Sequence, residues 1–113
     1  MEKKITVLFY KTSQGNEPVR EWLKELDDTD RKIVGSDIKT VEFLWPVGFP
    51  QIRKMDTDLW EVRSNITNGI ARVFFTVSGS DMVLLHAIVK KSQKTPLKDI
   101  ELSKKRRNEV LNG

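Results

Sequence analysis

The 113-residue sequence has no cysteine, one histidine, one tyrosine, six glycines and four prolines. Without thiols it has no disulfide framework and no thiolate metal site. No apolar run approaches the roughly 20 residues that a membrane-spanning helix needs. Residues 1–13 place charges ahead of a short apolar run at 5–10. That run alternates, so it reads as a strand and not as a secretory signal. A cytoplasmic location with no membrane partner is expected. The length suggests one compact domain over 1–113, with room for a single sheet and a few covering helices. No repeat, low-complexity tract or linker interrupts it.

The charge that is present is unevenly placed. The net charge is +4, with eight Lys or Arg against three acids from residue 90 onward and twelve against thirteen before it. A localised basic segment is the footprint expected for a phosphate backbone or an acidic protein partner. An ordinary solvated helix carries the same signal.

Hydrophobic periodicity divides the chain. Residues 5–10 are β-branched and aromatic and predict a strand. Asn16 suits a helix N-cap, with Glu17 and Pro18 in the first turn. Val19, Trp22, Leu23 and Leu26 then recur at helical spacing. A second helix is expected from Asp28 or Thr29. Its apolar stripe is Ile33, Val34, Ile38, Val41, Phe43, Leu44 and Trp45, and Pro46 stops it. Residues 49–56 predict a bend and a short strand at 51–55, followed by a turn at 56–58. Strands continue to about residue 90. Thr95 as N-cap and Pro96 as first helical residue predict a last helix to about Leu111, thin in apolar residues. Strand, helix, helix, four strands, helix is an α+β domain: an antiparallel sheet covered on one face by an N-terminal helical hairpin, with a C-terminal helix.

The Asn68-Gly69 pair predicts a type I′ hairpin turn, since both central residues need positive φ. Thr67 then pairs with Ile70, Asn65 with Arg72 and Arg63 with Phe74. Alternation puts Arg63, Asn65, Arg72 and Glu61 on one face. Trp60, Val62, Ile66, Ala71, Val73, Phe75 and Val77 take the other. Two guanidiniums on one face repel unless an anion lies between them, and Glu61 is the candidate carboxylate. The second hairpin loop, residues 78–81, leaves His86 open. A three-residue loop sets it opposite Arg72, and a two-residue loop turns it to the helix-covered face.

Several motifs resemble the RelE/ParE toxin superfamily, most closely its HigB-like, phage-derived branch. They are Lys54, the run Leu59-Trp60-Glu61-Val62-Arg63, residues 69–72, Leu84-Leu85-His86, and the stretch Val89-Lys-Lys-Ser-Gln-Lys-Thr-Pro96. The resemblance implies the toxin of a type II toxin–antitoxin pair that cleaves mRNA at the ribosome. It also implies a helix-turn-helix, HigA-like antitoxin as partner, and no cofactor. On matching positions Arg72 corresponds to the strand arginine used on phosphate. Lys90 and Lys91 fall where relatives carry a basic pair, and Arg63 and Lys54 align with basic strand residues. The C-terminal tyrosine of some members has no counterpart.

RNA cleavage without a metal must deprotonate a 2′-hydroxyl, stabilise the charged phosphorane and protonate the 5′-oxygen. Preorganised cations supply the second. Arg63 and Arg72 have planar forks that suit phosphate, and a salt bridge to Glu61 is the structural alternative. His86 is a candidate acid or base, and equally a hydrogen-bonded core residue. Lys90 joins this catalytic set, and a desolvated lysine can move a proton. Lys54, Lys91, Lys94, Lys104, Lys105, Arg106 and Arg107 are candidates for RNA or ribosome contact, against a plain solvated charge run. Phe74 alone among the aromatics is placed to stack a base. A non-catalytic inhibitor of gyrase or another protein is the competing reading, as is a degenerate homologue that only binds its antitoxin.

Overall fold

A computed structural model describes residues 2–46, 48 and 50–113. The order is β1 (Thr6–Phe9), α1 (Pro18–Glu25), α2 (Asp28–Leu44), β2 (Ile52–Asp56), β3 (Leu59–Ile66), β4 (Gly69–Ser78), β5 (Asp81–Lys90) and α3 (Leu97–Asn112). The bend expected at Phe49 lies outside the described residues. The strands form one five-stranded sheet in the order β1-β5-β4-β3-β2.

The sheet is mixed and not antiparallel throughout, because β1 runs parallel to β5 while the other pairs are antiparallel. Nothing in the residues of β1 fixes its direction. The end of α2 does: the amides of Lys4 and Ile5 donate to the Glu42 carbonyl, and Val7 N donates to the Glu42 carboxylate at 2.8 Å.

The helical hairpin covers one face as the apolar spacing requires. On α2, Val34, Ile38 and Val41 are buried against Val62, Ala71, Val73 and Phe75. Burying those three aliphatic chains contributes about 5–9 kcal/mol before chain entropy is counted. Trp45 packs edge-on to Trp60, 4.8 Å between centroids, and closes that layer. Pro46 cannot extend the helix, and Trp45 is its C-cap.

The other face is covered by α3, whose apolar content is thin. Polar contacts attach it instead. Arg106 Nη1 donates to the Leu85 carbonyl at 2.8 Å, and its guanidinium lies 5.0 Å from the Tyr10 ring centre. Arg107 Nη1 donates to Asp56 Oδ2 at 2.6 Å and to the Thr57 carbonyl at 2.7 Å. Tyr10 donates its hydroxyl hydrogen to Glu109 Oε2 at 2.7 Å.

The register of the first hairpin departs from the sequence expectation. The first hairpin turns at Thr67-Asn68, because Ile66 pairs with Gly69 and Arg63 directly with Arg72. Neither turn residue has positive φ, so the turn is not type I′. Asp30 of α2 selects it by accepting from Thr67 N at 3.1 Å and Thr67 Oγ1 at 2.9 Å. Gly69 is used for close approach: a Cβ there would meet the Lys90 carbonyl at 3.1 Å. The slip changes every pairing by two, so the faces survive.

The second hairpin has the two-residue loop Gly79-Ser80, since Ser78 pairs with Asp81. His86 nevertheless lands on the face under α3, opposite Phe74. A bulge between Phe74 and Phe75 puts an extra residue into β5 and reverses its alternation. Leu84 therefore packs under the hairpin, while Leu85 packs on the α3 side.

The register of β2 carries no expectation from the sequence. Arg53 pairs with Glu61 and Lys54 with Trp60. Lys54 thus projects from the helical-hairpin face, and Arg53 shares the face of Arg63 and Arg72.

Candidate functional site

Paired residues on adjacent strands share a face, so the register lays out the α3 side as a grid. One row is Arg53, Glu61, Phe74 and His86. The next is Arg63, Arg72 and Ile88, and the third is Asn65, Ile70 and Lys90. Gln51 joins the second row, because its carbonyl accepts from Arg63 N at 2.8 Å. Arg53, Arg63, Arg72 and Lys90 therefore stand on one surface around a single buried carboxylate, Glu61.

Two guanidiniums in directly opposed positions repel, and the structure supplies the anion between them. Glu61 is fully buried and accepts from Arg63 Nε and, at 2.9 Å, from Thr95 Oγ1. Thr95 Oγ1 in turn accepts from Arg72 Nη1 at 3.1 Å and Arg63 Nη2 at 3.4 Å. Arg72 Nη2 donates to the Ser92 carbonyl, and Arg63 Nη1 to Gln93 Oε1 at 3.3 Å. The stretch between β5 and α3 is thus tied down by the arginine pair. Thr95 serves this cluster and caps nothing, since Pro96 is the helix N-cap residue.

Arg72 is fully buried, and its Nε finds no partner among the described residues. Burial lowers its pKa from the ordinary arginine value, and the charges of Arg63 and Arg53 add to this while Glu61 opposes them. A direct phosphate contact by Arg72 does not fit this arrangement. Its donors hold Ser92 and Thr95.

Arg63 keeps 12% of its side chain exposed and opens on a cavity of about 310 Å³. Pro50, Gln51, Arg53, Asn65, Ile70 and Gln93 line the rest of it. None of these is acidic. Two guanidiniums and three amides offer donors in every direction, and Ile70 and Pro50 offer apolar surface. Lys90 pairs with Ile70 of its wall. Lys90, Lys91 and Lys94 are exposed.

His86 is the other ionisable group on this surface. Its Nε2 lies 2.8 Å from Asp99 Oδ1 of α3, and its ring stacks on Phe74 at 5.8 Å and 17°. That stack removes Phe74, itself fully buried, as a platform for a base.

The basic run on α3 divides. Arg106 and Arg107 are committed to the sheet by the bonds described above, so they are not free for RNA. Lys104 lies 3.6 Å from Glu101 and 4.0 Å from Asp56. Lys105 is exposed. Lys54, on the opposite face, leaves the group altogether. Arg53 takes its place, a residue not singled out from the sequence, where the 51–55 strand is assigned no register.

A family model described as "Phage derived protein Gp49-like (DUF891)" matches residues 21–108. The chain belongs to that family. The Gp49-like family is RelE- and toxin-like and is associated with the toxins of toxin–antitoxin pairs, which implies an antitoxin partner. The matched span runs from α1 through most of α3 and includes every residue of the grid. No curated protein matches the chain. No helix among the described residues is long and apolar enough to cross a membrane.

Proposed function

We propose that this Gp49-like protein is a HigB-like toxin that cleaves mRNA at the ribosome, using its own cations in place of a metal. The observation that supports this most is the acid-free cavity beside Arg63, with Arg53 in its wall and Lys90 paired to Ile70 of that wall. A phosphodiester seated there meets two guanidinium forks, and charge-assisted bonds of this kind are about twice as strong as neutral ones.

The reaction is an internal transfer. The 2′-oxygen loses its proton and bonds to phosphorus. The bond from phosphorus to the 5′-oxygen breaks, and that oxygen takes up a proton. The products are a 2′,3′-cyclic phosphate and a 5′-hydroxyl. Arg53 and Arg63 stabilise the charge on the non-bridging oxygens. Arg72 acts behind them by holding the segment that carries Lys91 and Lys94. Those lysines and Lys90 attract the RNA backbone in a salt-dependent way. His86 moves a proton. In this reading the chain works in the cytoplasm, and a helix-turn-helix antitoxin of the HigA type silences it.

The test is induced expression in bacteria with sequencing of RNA 5′ ends. Rapid translation arrest with new 5′-hydroxyl ends inside codons is expected, and Arg63→Ala should abolish both. One observation favours a second reading, a non-catalytic inhibitor of gyrase or another protein: Arg72 is sealed and Arg63 is paired to Glu61. DNA damage and filamentation with intact mRNA would select it.

A further inference from the structure

The β-bulge reverses the alternation of β5 beyond Leu84, and so brings the only histidine in the chain onto the face under α3. Two independent contacts then fix its ring. Phe74 stacks on its face, and Asp99 Oδ1 meets Nε2 at 2.8 Å. We infer that Asp99 is a positioning residue that holds the proton of His86 on Nε2 and leaves Nδ1 as the proton acceptor. This rests on the endoribonuclease reading of the same site.

The geometry argues for more than a tether. A carboxylate can only accept, so Nε2 must carry the hydrogen. Nδ1 forms no hydrogen bond among the described residues. It is also absent from the buried unpaired atoms, which are Arg72 Nε, Thr76 Oγ1 and Asp99 Oδ2. With 17% of the side chain exposed, Nδ1 is not fully sealed from solvent. His86 sits diagonally from Arg72 across β4 and β5, about 7–8 Å away by strand geometry. A base oriented by a carboxylate is the arrangement that activates a hydroxyl, and here it stands beside the buried Arg72, outside the lining of the Arg63 cavity.

A purely structural role explains the pair poorly. Arg106, Arg107 and Tyr10 already attach α3 to the sheet. Asp99 is 7% exposed and lies in the first turn of α3, where the helix dipole favours a carboxylate, and its Oδ2 has no partner among the described residues. Burying a carboxylate for one hydrogen bond is a costly tether, and an apolar pair would hold the helix as well. A stored acceptor that stabilises an imidazolium during proton transfer accounts for the cost.

The test uses the full chain labelled with nitrogen-15 in histidine. One imidazole gives one pair of ring resonances, whose shifts report the tautomer directly. The wild type should show hydrogen on Nε2 near neutral pH. Asp99→Asn can donate its amide hydrogen to Nε2 and should move the hydrogen to Nδ1. In single-turnover cleavage on programmed ribosomes, the same variant should lose on the order of 10²-fold in rate while its ribosome affinity stays unchanged. A wild type with hydrogen on Nδ1 overturns the inference without any variant. So does a folded Asp99→Asn chain whose tautomer moves but whose cleavage rate does not. A wild type with the expected tautomer that cuts no RNA overturns the endoribonuclease reading, and the catalytic use of the pair with it.

Discussion

Thr95 is where the arginine cluster is most exposed to a single change. Its side chain is buried, accepts from Arg72 at 3.1 Å and donates to Glu61 at 2.9 Å. The contact with Arg63 at 3.4 Å is long and weak. Thr95→Val keeps the shape and removes the hydroxyl. Two bonds to charged groups are lost, each worth about 1.5–3 kcal/mol. The added methyl returns about 0.8 kcal/mol. The net loss should be about 2–5 kcal/mol, or roughly 10–25 °C in Tm for a domain of this size. Thr95→Ser keeps the hydroxyl and should cost only about 1 kcal/mol for the missing methyl. Thr95→Asp separates this account from helix capping, because aspartate is a good N-cap. Against Glu61 it is a second buried carboxylate with no proton to give, and should destabilise at least as much as valine. Urea and thermal unfolding of the three variants measure all of this. A stable Thr95→Asp, or a Thr95→Val within about 1 kcal/mol of wild type, refutes the cluster as the main role of this residue.

Arg53→Ala should lower RNA cleavage by on the order of 10²-fold, while Lys54→Ala leaves it near wild type. Equal effects in a ribosome cleavage assay would contradict the face assignment. Asp30→Ala leaves Thr67 N and Thr67 Oγ1 without their acceptor and should cost about 1–3 kcal/mol in urea unfolding. Tyr10 is the sole tyrosine, and its hydrogen bond to Glu109 raises its pKa above the ordinary value of 10.0, with burial adding to the effect. Its tyrosinate absorbance should therefore rise later in an alkaline titration than in Glu109→Gln. Because the folded pKa is the higher one, that bond stabilises fully below the unfolded value and is lost as pH climbs through the folded one.

The order of elements and the two faces of the central hairpin could be read from the residues alone. Alternation depends only on chain spacing, so Arg63, Arg72 and Glu61 fell on one face even though the turn was placed one residue late. Asn68-Gly69 is a strong local signal, and it lost to a carboxylate 37 residues away. Asp30 offers Thr67 two hydrogen bonds that no hairpin pattern anticipates. The direction of β1 failed for a similar reason, since Glu42 at the end of α2 sets it.

The site was less legible than the fold because irregularities place its members. Strand parity carries information only between bulges. Lys54 rests on the family resemblance, with no strand register for β2 to test it, and His86 stays open with the length of the 78–81 loop. Register shifts at Lys54/Asp56 and Phe74/Phe75 decide the actual placement. At each, one residue more or less reverses which side chains meet the cations. Burial was the other thing out of reach. A helix as polar as α3 reads as a solvated element, yet it covers a face of the sheet, because hydrogen bonds from Arg106, Arg107 and Tyr10 do the work that an apolar stripe does on α2, and the segment leading into it ties down Arg72. The basic run that looked like an RNA-binding surface is therefore partly the attachment of the cover. The cations left open to a phosphate are those at the edge of that cover: Arg53, Arg63 and the lysines that follow β5.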